Sequence, residues 1–156
     1  MKNNINKGFT IVETMIVLAI AGLILLIVLL AVPALQRSST NTNIKSDASA
    51  IAAGISDFET NNGGALPDSF TLTGTDLAIT SSKITSVIPS TAKIQAGDVI
   101  DNTKKPGTVA TSLTGTSIYI VTGQTCNENS DSRSFAIYFP VLTSAGDKYN
   151  DANCIE

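Results

Sequence analysis

Histidine and tryptophan are absent from this 156-residue chain, cysteine occurs twice, and aromatic residues make up only 5%. Without histidine the usual general base, the usual proton shuttle and the commonest metal ligand are missing. Two cysteines cannot build a cysteine-rich zinc or iron–sulfur site. Charge is also scarce, at 15% of residues, and 13 acidic side chains outnumber 10 basic ones. Residues 38–156 hold 7 basic and 12 acidic groups, a net charge of −5 that disfavours broad affinity for phosphate backbones. Nor is there a Walker-type or dinucleotide glycine motif. The composition predicts no enzyme, no cofactor, no metal centre and no specific nucleic-acid partner.

What the chain does have is concentrated apolar weight. Mean hydropathy is +0.23, yet residues 15–35 contain no charged side chain while residues 36–156 are rich in Ser, Thr, Asn and Asp. The chain is therefore expected to divide at about Gln36. As a helix rising ~1.5 Å per residue, the run from Met15 to Leu35 covers roughly 31 Å, enough to cross a hydrocarbon core of about 30 Å once. Lys2 and Lys7 precede it. The positive-inside bias keeps that end cytoplasmic and sends residues 36–156 outside.

A cleaved secretory signal has an apolar region of about 7–15 residues, shorter than this one. A plain membrane anchor fits the length. Neither accounts for Glu13, a carboxylate near one end of the span that costs up to about 2.5–3.5 kcal/mol depending on depth and calls for a partner. Phe9 lies one helical turn upstream. Cutting between Gly8 and Phe9 would expose an α-amine at the right height to pair with Glu13, from the same chain or a neighbouring copy.

The segment Lys7-Gly8-Phe9-Thr10-Ile11-Val12-Glu13 and the apolar run behind it resemble the class III signal of type IV pilins and type II secretion pseudopilins. The resemblance covers about residues 7–35. It implies that prepilin peptidase cuts after Gly8, leaving residues 1–8 as the leader, that the new N-terminal Phe9 is methylated, and that Glu13 guides subunits into a helical homo-oligomeric filament. It also implies membrane lipid around residues 9–35 before assembly, a pilus assembly platform with ATPases as partners, and adhesion, twitching motility or DNA uptake as uses. Within the family the alternative is a minor pilin or pseudopilin. Outside it, the alternative is a membrane-anchored binding domain that never polymerises.

Gly22 and Pro33 interrupt the apolar helix. Gly costs about 1 kcal/mol relative to Ala, and Pro removes a backbone bond. Both are ordinary in membrane helices. In the family such residues bracket a stretch that melts during filament packing, although its usual proline lies three residues earlier.

Gln36–Asn43 is polar. Helical periodicity resumes with Ile44, Ala48, Ile51, Ile55 and Phe58 on one face, and Asn61-Asn62-Gly63-Gly64 ends it. One long helix from about Phe9 to Thr60 is expected, its amphipathic half (36–62) packed on a small antiparallel sheet of the head (63–156), in an α+β, pilin-like fold. Residues 65–116 read as a long irregular connection with one or two short helices or strands, punctuated by turns at Leu66-Pro67, Ile88-Pro89 and Lys105-Pro106-Gly107. Residues 117–123 and 134–142 read as paired antiparallel strands. Alternation puts Phe135, Ile137 and Phe139 on one face and Ala136 and Tyr138 on the other. Pro140 belongs at a strand end or edge.

Cys126 and Cys154, both in the outer portion, are most simply a disulfide. The closed loop of 29 residues corresponds to about 3.6 kcal/mol in the chain-entropy picture. It would tether a flexible C-terminal segment to the hairpin, and it resembles the C-terminal disulfide-bounded loop of type IV pilins. The alternative is two unrelated free thiols. Asn127, Asn129 and Asp131 alternate like the start of a calcium loop but lack its Gly and distal Glu. Asp147, Asn150 and Asp151 could also ligate calcium, as a C-terminal loop does in some pseudopilins; ordinary turn chemistry accounts for both groups. Ser and Thr number 35, which solvated surface explains.

Overall fold

The computed structural model describes residues 8–95, 99–101, 117–142 and 149–156. The chain forms two compact units, Met1–Gln36 and Arg37–Glu156. One helix, α1 (Ile11–Asn61), supplies the regular structure of the first unit and opens the second.

In the first unit α1 is apolar on every side, is long enough to cross a membrane, and buries none of that stretch. Leu29 and Leu30 are 72% and 73% exposed. An apolar band that size is not tolerated in water, so it marks a surface made for lipid or for protein. Pro33 lies inside the helix without ending it.

In the second unit α1 becomes one-sided. Ile44, Ala48, Ile51, Ile55 and Phe58, the stripe expected from periodicity, are all buried, and Asp47 and Gly54 are buried with them. The helix stops at a glycine pair. Gly63 takes φ +67° and the Gly64 N–H donates to the Glu59 carbonyl at 2.8 Å, closing the last turn in Schellman fashion.

The described residues of the expected irregular connection carry more strand than the one or two short elements expected. β1 (Ser69–Thr73), β2 (Asp76–Thr80) and β3 (Ser90–Lys93) form a three-stranded antiparallel sheet in the order β1-β2-β3. These strands have 5, 5 and 4 residues and are rich in Ser and Thr, so their apolar alternation is too short to stand out. Gly74, at φ +63°, permits the tight β1–β2 turn. The turn expected at Lys105-Pro106-Gly107 lies outside the described residues.

A second sheet runs β4-β5-β6-β7, made of β4 (Val99–Asp101), β5 (Ser117–Gln124), β6 (Ser130–Leu142) and β7 (Tyr149–Ile155). The expected helix-on-sheet α+β fold is thus present with two small sheets, antiparallel except that β4 pairs with β5 in parallel. The β5–β6 hairpin is antiparallel, with Tyr119 opposite Tyr138 and Val121 opposite Ala136. The C-terminal segment, expected to be flexible, pairs antiparallel with β6 as β7. Its sequence YNDANCI has one β-branched residue, so the strand is imposed by its neighbour and not by propensity. Pro140 pairs with Ala152 of β7, beyond the last β5 register pair, where a missing N–H costs no β5 bond.

Both sheets pack on the same helix face. Phe135, Ile137 and Phe139 join Ile118, Ile120, Leu77, Ile79, Ala92, Ile94 and the α1 stripe in one core. Ala136 and Tyr138 join Val121 in a smaller cluster on the other side, against Tyr119 and the two cysteines. Gly54 marks the closest helix–sheet approach: a Cβ there would lie 2.6 Å from Ile79 Cδ1 and 3.3 Å from Ala92 Cβ.

Polar side chains on α1, and Asn62 directly after it, tie down the non-helical chain. Asn41 Nδ2 donates to the Leu142 carbonyl (3.0 Å) and its Oδ1 accepts from the Leu142 N–H (2.8 Å). Asn62 makes the same two-way bond with Ile88, at 2.8 Å in each direction. Buried Asp47 accepts the Gln95 N–H at 3.0 and 3.1 Å, and Asp57 accepts the Ser90 hydroxyl at 2.8 Å. The bonds to Leu142, Ile88 and Gln95 satisfy backbone groups.

Candidate processing and assembly segment

Gly8, Phe9 and Thr10 are exposed and non-helical, immediately before α1. Phe9 is 82% exposed. The Gly8–Phe9 bond therefore lies in exposed, non-helical chain.

Thr10 sets where the helix begins. Its Oγ1 accepts the Glu13 N–H at 3.2 Å, and the Thr14 N–H donates to its carbonyl at 3.3 Å. Thr10 is the N-cap and Glu13 the third helical residue. The spelling Thr-x-x-Glu is a capping-box signature that the sequence reading passed over. Glu13 is exposed and is the acidic residue of the first turn, where its charge complements the helix dipole. Behind it the helix is apolar and without charge from Met15 to Leu35. Gly22 faces open space, with nothing within 4 Å of an added Cβ.

At the other end of the chain Cys126 and Cys154 form a disulfide with Cα atoms 5.7 Å apart. It ties the β5–β6 turn to β7. The Cys126 N–H donates to Glu156 Oε2 at 2.8 Å, so the last side chain reinforces the same junction. Tyr138 packs beside it; burial, and then the charges of Glu128 and Glu156, raise its hydroxyl pKa above the ordinary 10.0. Among the calcium candidates, Asp131 is used locally. It accepts the Ser134 hydroxyl (2.6 Å) and the Arg133 N–H (3.1 Å), and these bonds hold its pKa below the ordinary 3.8. Asp147 lies outside the described residues, while Asn150 and Asp151 are backbone positions of β7.

A bare apolar helix long enough to cross a membrane, with an acid in its first turn, suits membrane anchoring through the N-terminal segment, and the α+β head behind it is closed by a disulfide. The prokaryotic N-terminal methylation motif matches residues 3–29, a motif typical of type IV pilin and pseudopilin precursors, and the α+β architecture is pilin-like. No match was found among curated proteins or among solved structures.

Proposed function

We propose that the chain is the structural subunit of a type IV pilus. It is made as a membrane prepilin, cut after Gly8 by prepilin peptidase, methylated on Phe9 and polymerised through α1. Residues 1–8 are the leader, 9–35 the membrane and filament-core half of the helix, 36–62 its amphipathic half and 63–156 the head. The assembly platform and its ATPases supply the energy, and adhesion, twitching motility or DNA uptake is the use.

The observation that carries this reading is the methylation motif on an apolar helix that buries nothing of itself. Assembly is a change of solvent: helices leave lipid and bury against each other. In a helical core an unpaired Glu13 would be heavily penalised, and pairing with the amine of Phe9, its own or a neighbour's, removes most of that cost and sets axial register. Gly22 and Pro33 weaken the helix between those positions and let it melt as copies pack. The disulfide-closed hairpin supports a pilin over a pseudopilin, for which a C-terminal calcium site would speak.

Mass spectrometry of exported protein tests the processing step: the mature chain begins at Phe9 and is one methyl group heavier than its sequence. Any other first residue overturns it. Glu13→Ala leaves protein in the membrane and abolishes or sharply reduces filaments; normal filaments from that variant refute the assembly role. Abundance of the subunit in sheared surface material separates a major pilin from a minor one.

A further inference from the structure

Of all the asparagines in the chain, only Asn62 is followed by glycine. Asparagine is a thermolabile side chain, because the backbone nitrogen after it can attack its side-chain carbonyl carbon. A glycine at the attacking position has no Cβ to obstruct the approach. Here the surroundings are open as well. Gly63 and Gly64 are exposed, and nothing lies within 4 Å of a Cβ added to either.

What restrains the reaction is the bonding of the side chain itself. Asn62 Nδ2 donates to the Phe58 carbonyl at 2.9 Å and to the Ile88 carbonyl at 2.8 Å, and Oδ1 accepts the Ile88 N–H at 2.8 Å. An amide gripped at both its oxygen and its nitrogen cannot release Nδ2 until those bonds open. Asn41 is gripped in the same way by Leu142. It is followed inside α1 by Thr42, whose branched side chain crowds the approach.

We propose that Asn62-Gly63 is a deamidation site restrained by the fold. The Gly63 N–H gives its proton to water and the nitrogen bonds to Asn62 Cγ. The Cγ–Nδ2 bond breaks with its electron pair, and Nδ2 takes a proton from water and leaves as ammonia. Water then opens the cyclic imide at either carbonyl, giving aspartate or isoaspartate. Water is the sole co-reactant. Either product undoes the clamp. A carboxylate has no proton to donate, so it meets the Phe58 and Ile88 carbonyls acceptor to acceptor. Its charge arrives at the negative end of the α1 dipole, where the last turn holds no basic residue. Isoaspartate also lengthens the main chain where the Gly64 N–H closes the helix on Glu59. The change frees the β2–β3 connection that Asn62 holds at Ile88, and being one-way it accumulates with the age of the head. It does not depend on the filament reading above.

The test is peptide mapping by mass spectrometry of the detergent-solubilised full-length chain at mildly alkaline pH. One sample is folded and the other is in urea with its disulfide intact. In urea Asn62, assigned by fragment spectra, exchanges NH for O ahead of every other asparagine. In the folded chain the same conversion is at least about tenfold slower, since several hydrogen bonds must open first. Equal rates in the two states overturn the restraint, and an Asn62 amide that survives urea while other asparagines convert overturns the site. The consequence is read by limited trypsin digestion at exposed Lys83, in the β2–β3 connection. Asn62→Asp and aged native protein enriched in the product are both cut there several-fold faster than fresh protein. An unchanged rate overturns the loosening. Should Asn62→Asp fail to form its disulfide, the aged native chain carries the measurement.

Discussion

Asn41 and Leu142, 101 positions apart, exchange two hydrogen bonds through one amide side chain. Asn41 lies three residues before Ile44, the first of the buried α1 residues. The pair joins the start of the packed helix to the end of the longest strand. Asn41→Ala strands both backbone groups of Leu142 in a half-buried place. The expected loss is about 1–3 kcal/mol, measured by denaturant unfolding of the detergent-solubilised chain. Asn41→Asp retains an acceptor for the Leu142 N–H and loses the donor, so a smaller loss is expected.

Gly54 is set by space, since Ile79 and Ala92 occupy the volume a side chain would need. Ile79 is itself fully buried and has nowhere to move. Gly54→Val is expected to destabilise the head by about 1–3 kcal/mol through overpacking, despite the better helix propensity of valine. Thermal unfolding checks it: an unchanged or higher midpoint would contradict the close approach.

Replacing Cys126 and Cys154 together by Ser frees β7 at its far end. The chain-entropy value for a loop of this size, about 3.6 kcal/mol, sets the scale. The specific expectation is local: amide exchange accelerates at Asn153–Ile155 before it does in α1. Uniform acceleration would show that the bond acts on the whole head equally.

Stability should bend at both ends of the pH scale. At Asp68 partial burial opposes ionisation, but the Ser82 N–H and hydroxyl, the Ser81 hydroxyl and Lys83 together hold the pKa below 3.8. A carboxylate depressed on folding stabilises above its unfolded value, and that gain is lost as pH falls through the folded one. Asp68→Asn should therefore flatten the acid limb of the curve. Tyr138 is raised above 10.0 by burial, then by Glu128 and Glu156. Its contribution is full below that value and disappears as pH climbs through the folded pKa, so Tyr138→Phe should flatten the alkaline limb. Unfolding midpoints measured from acid to alkali for both variants decide it.

The long helix was legible because two strong signals overlap in it, an unbroken apolar run and then a stripe of period 3.6. The β5–β6 hairpin was legible as well, since Phe135, Ile137 and Phe139 alternate with Ala136 and Tyr138 and the structure separates those two sets. β1 to β3 were not, because Ser- and Thr-rich strands of four or five residues are stabilised by their neighbours and by α1. β7 was hidden for the same reason. The polar residues were read least well. Nothing in the sequence around Asp47 announces burial, yet it is 1% exposed; the backbone N–H of Gln95, brought from 48 positions away, makes that tenable. At the N-terminus Gly8, Phe9 and Glu13 stood out by motif, while Thr10 needed only the Thr-x-x-Glu spacing to be noticed as the cap.

The spacing of Asn41, Asp47 and Asp57 along α1, with Asn62 just past its end, has a mechanical consequence. A pull on the helix from its N-terminal side is felt first at Asn41, and the strand it holds is itself stitched to β7 and, through the cysteine bridge, to the hairpin turn. Load entering there is shared across several strands at once instead of unzipping them singly, which is the arrangement expected of a part that must bear tension.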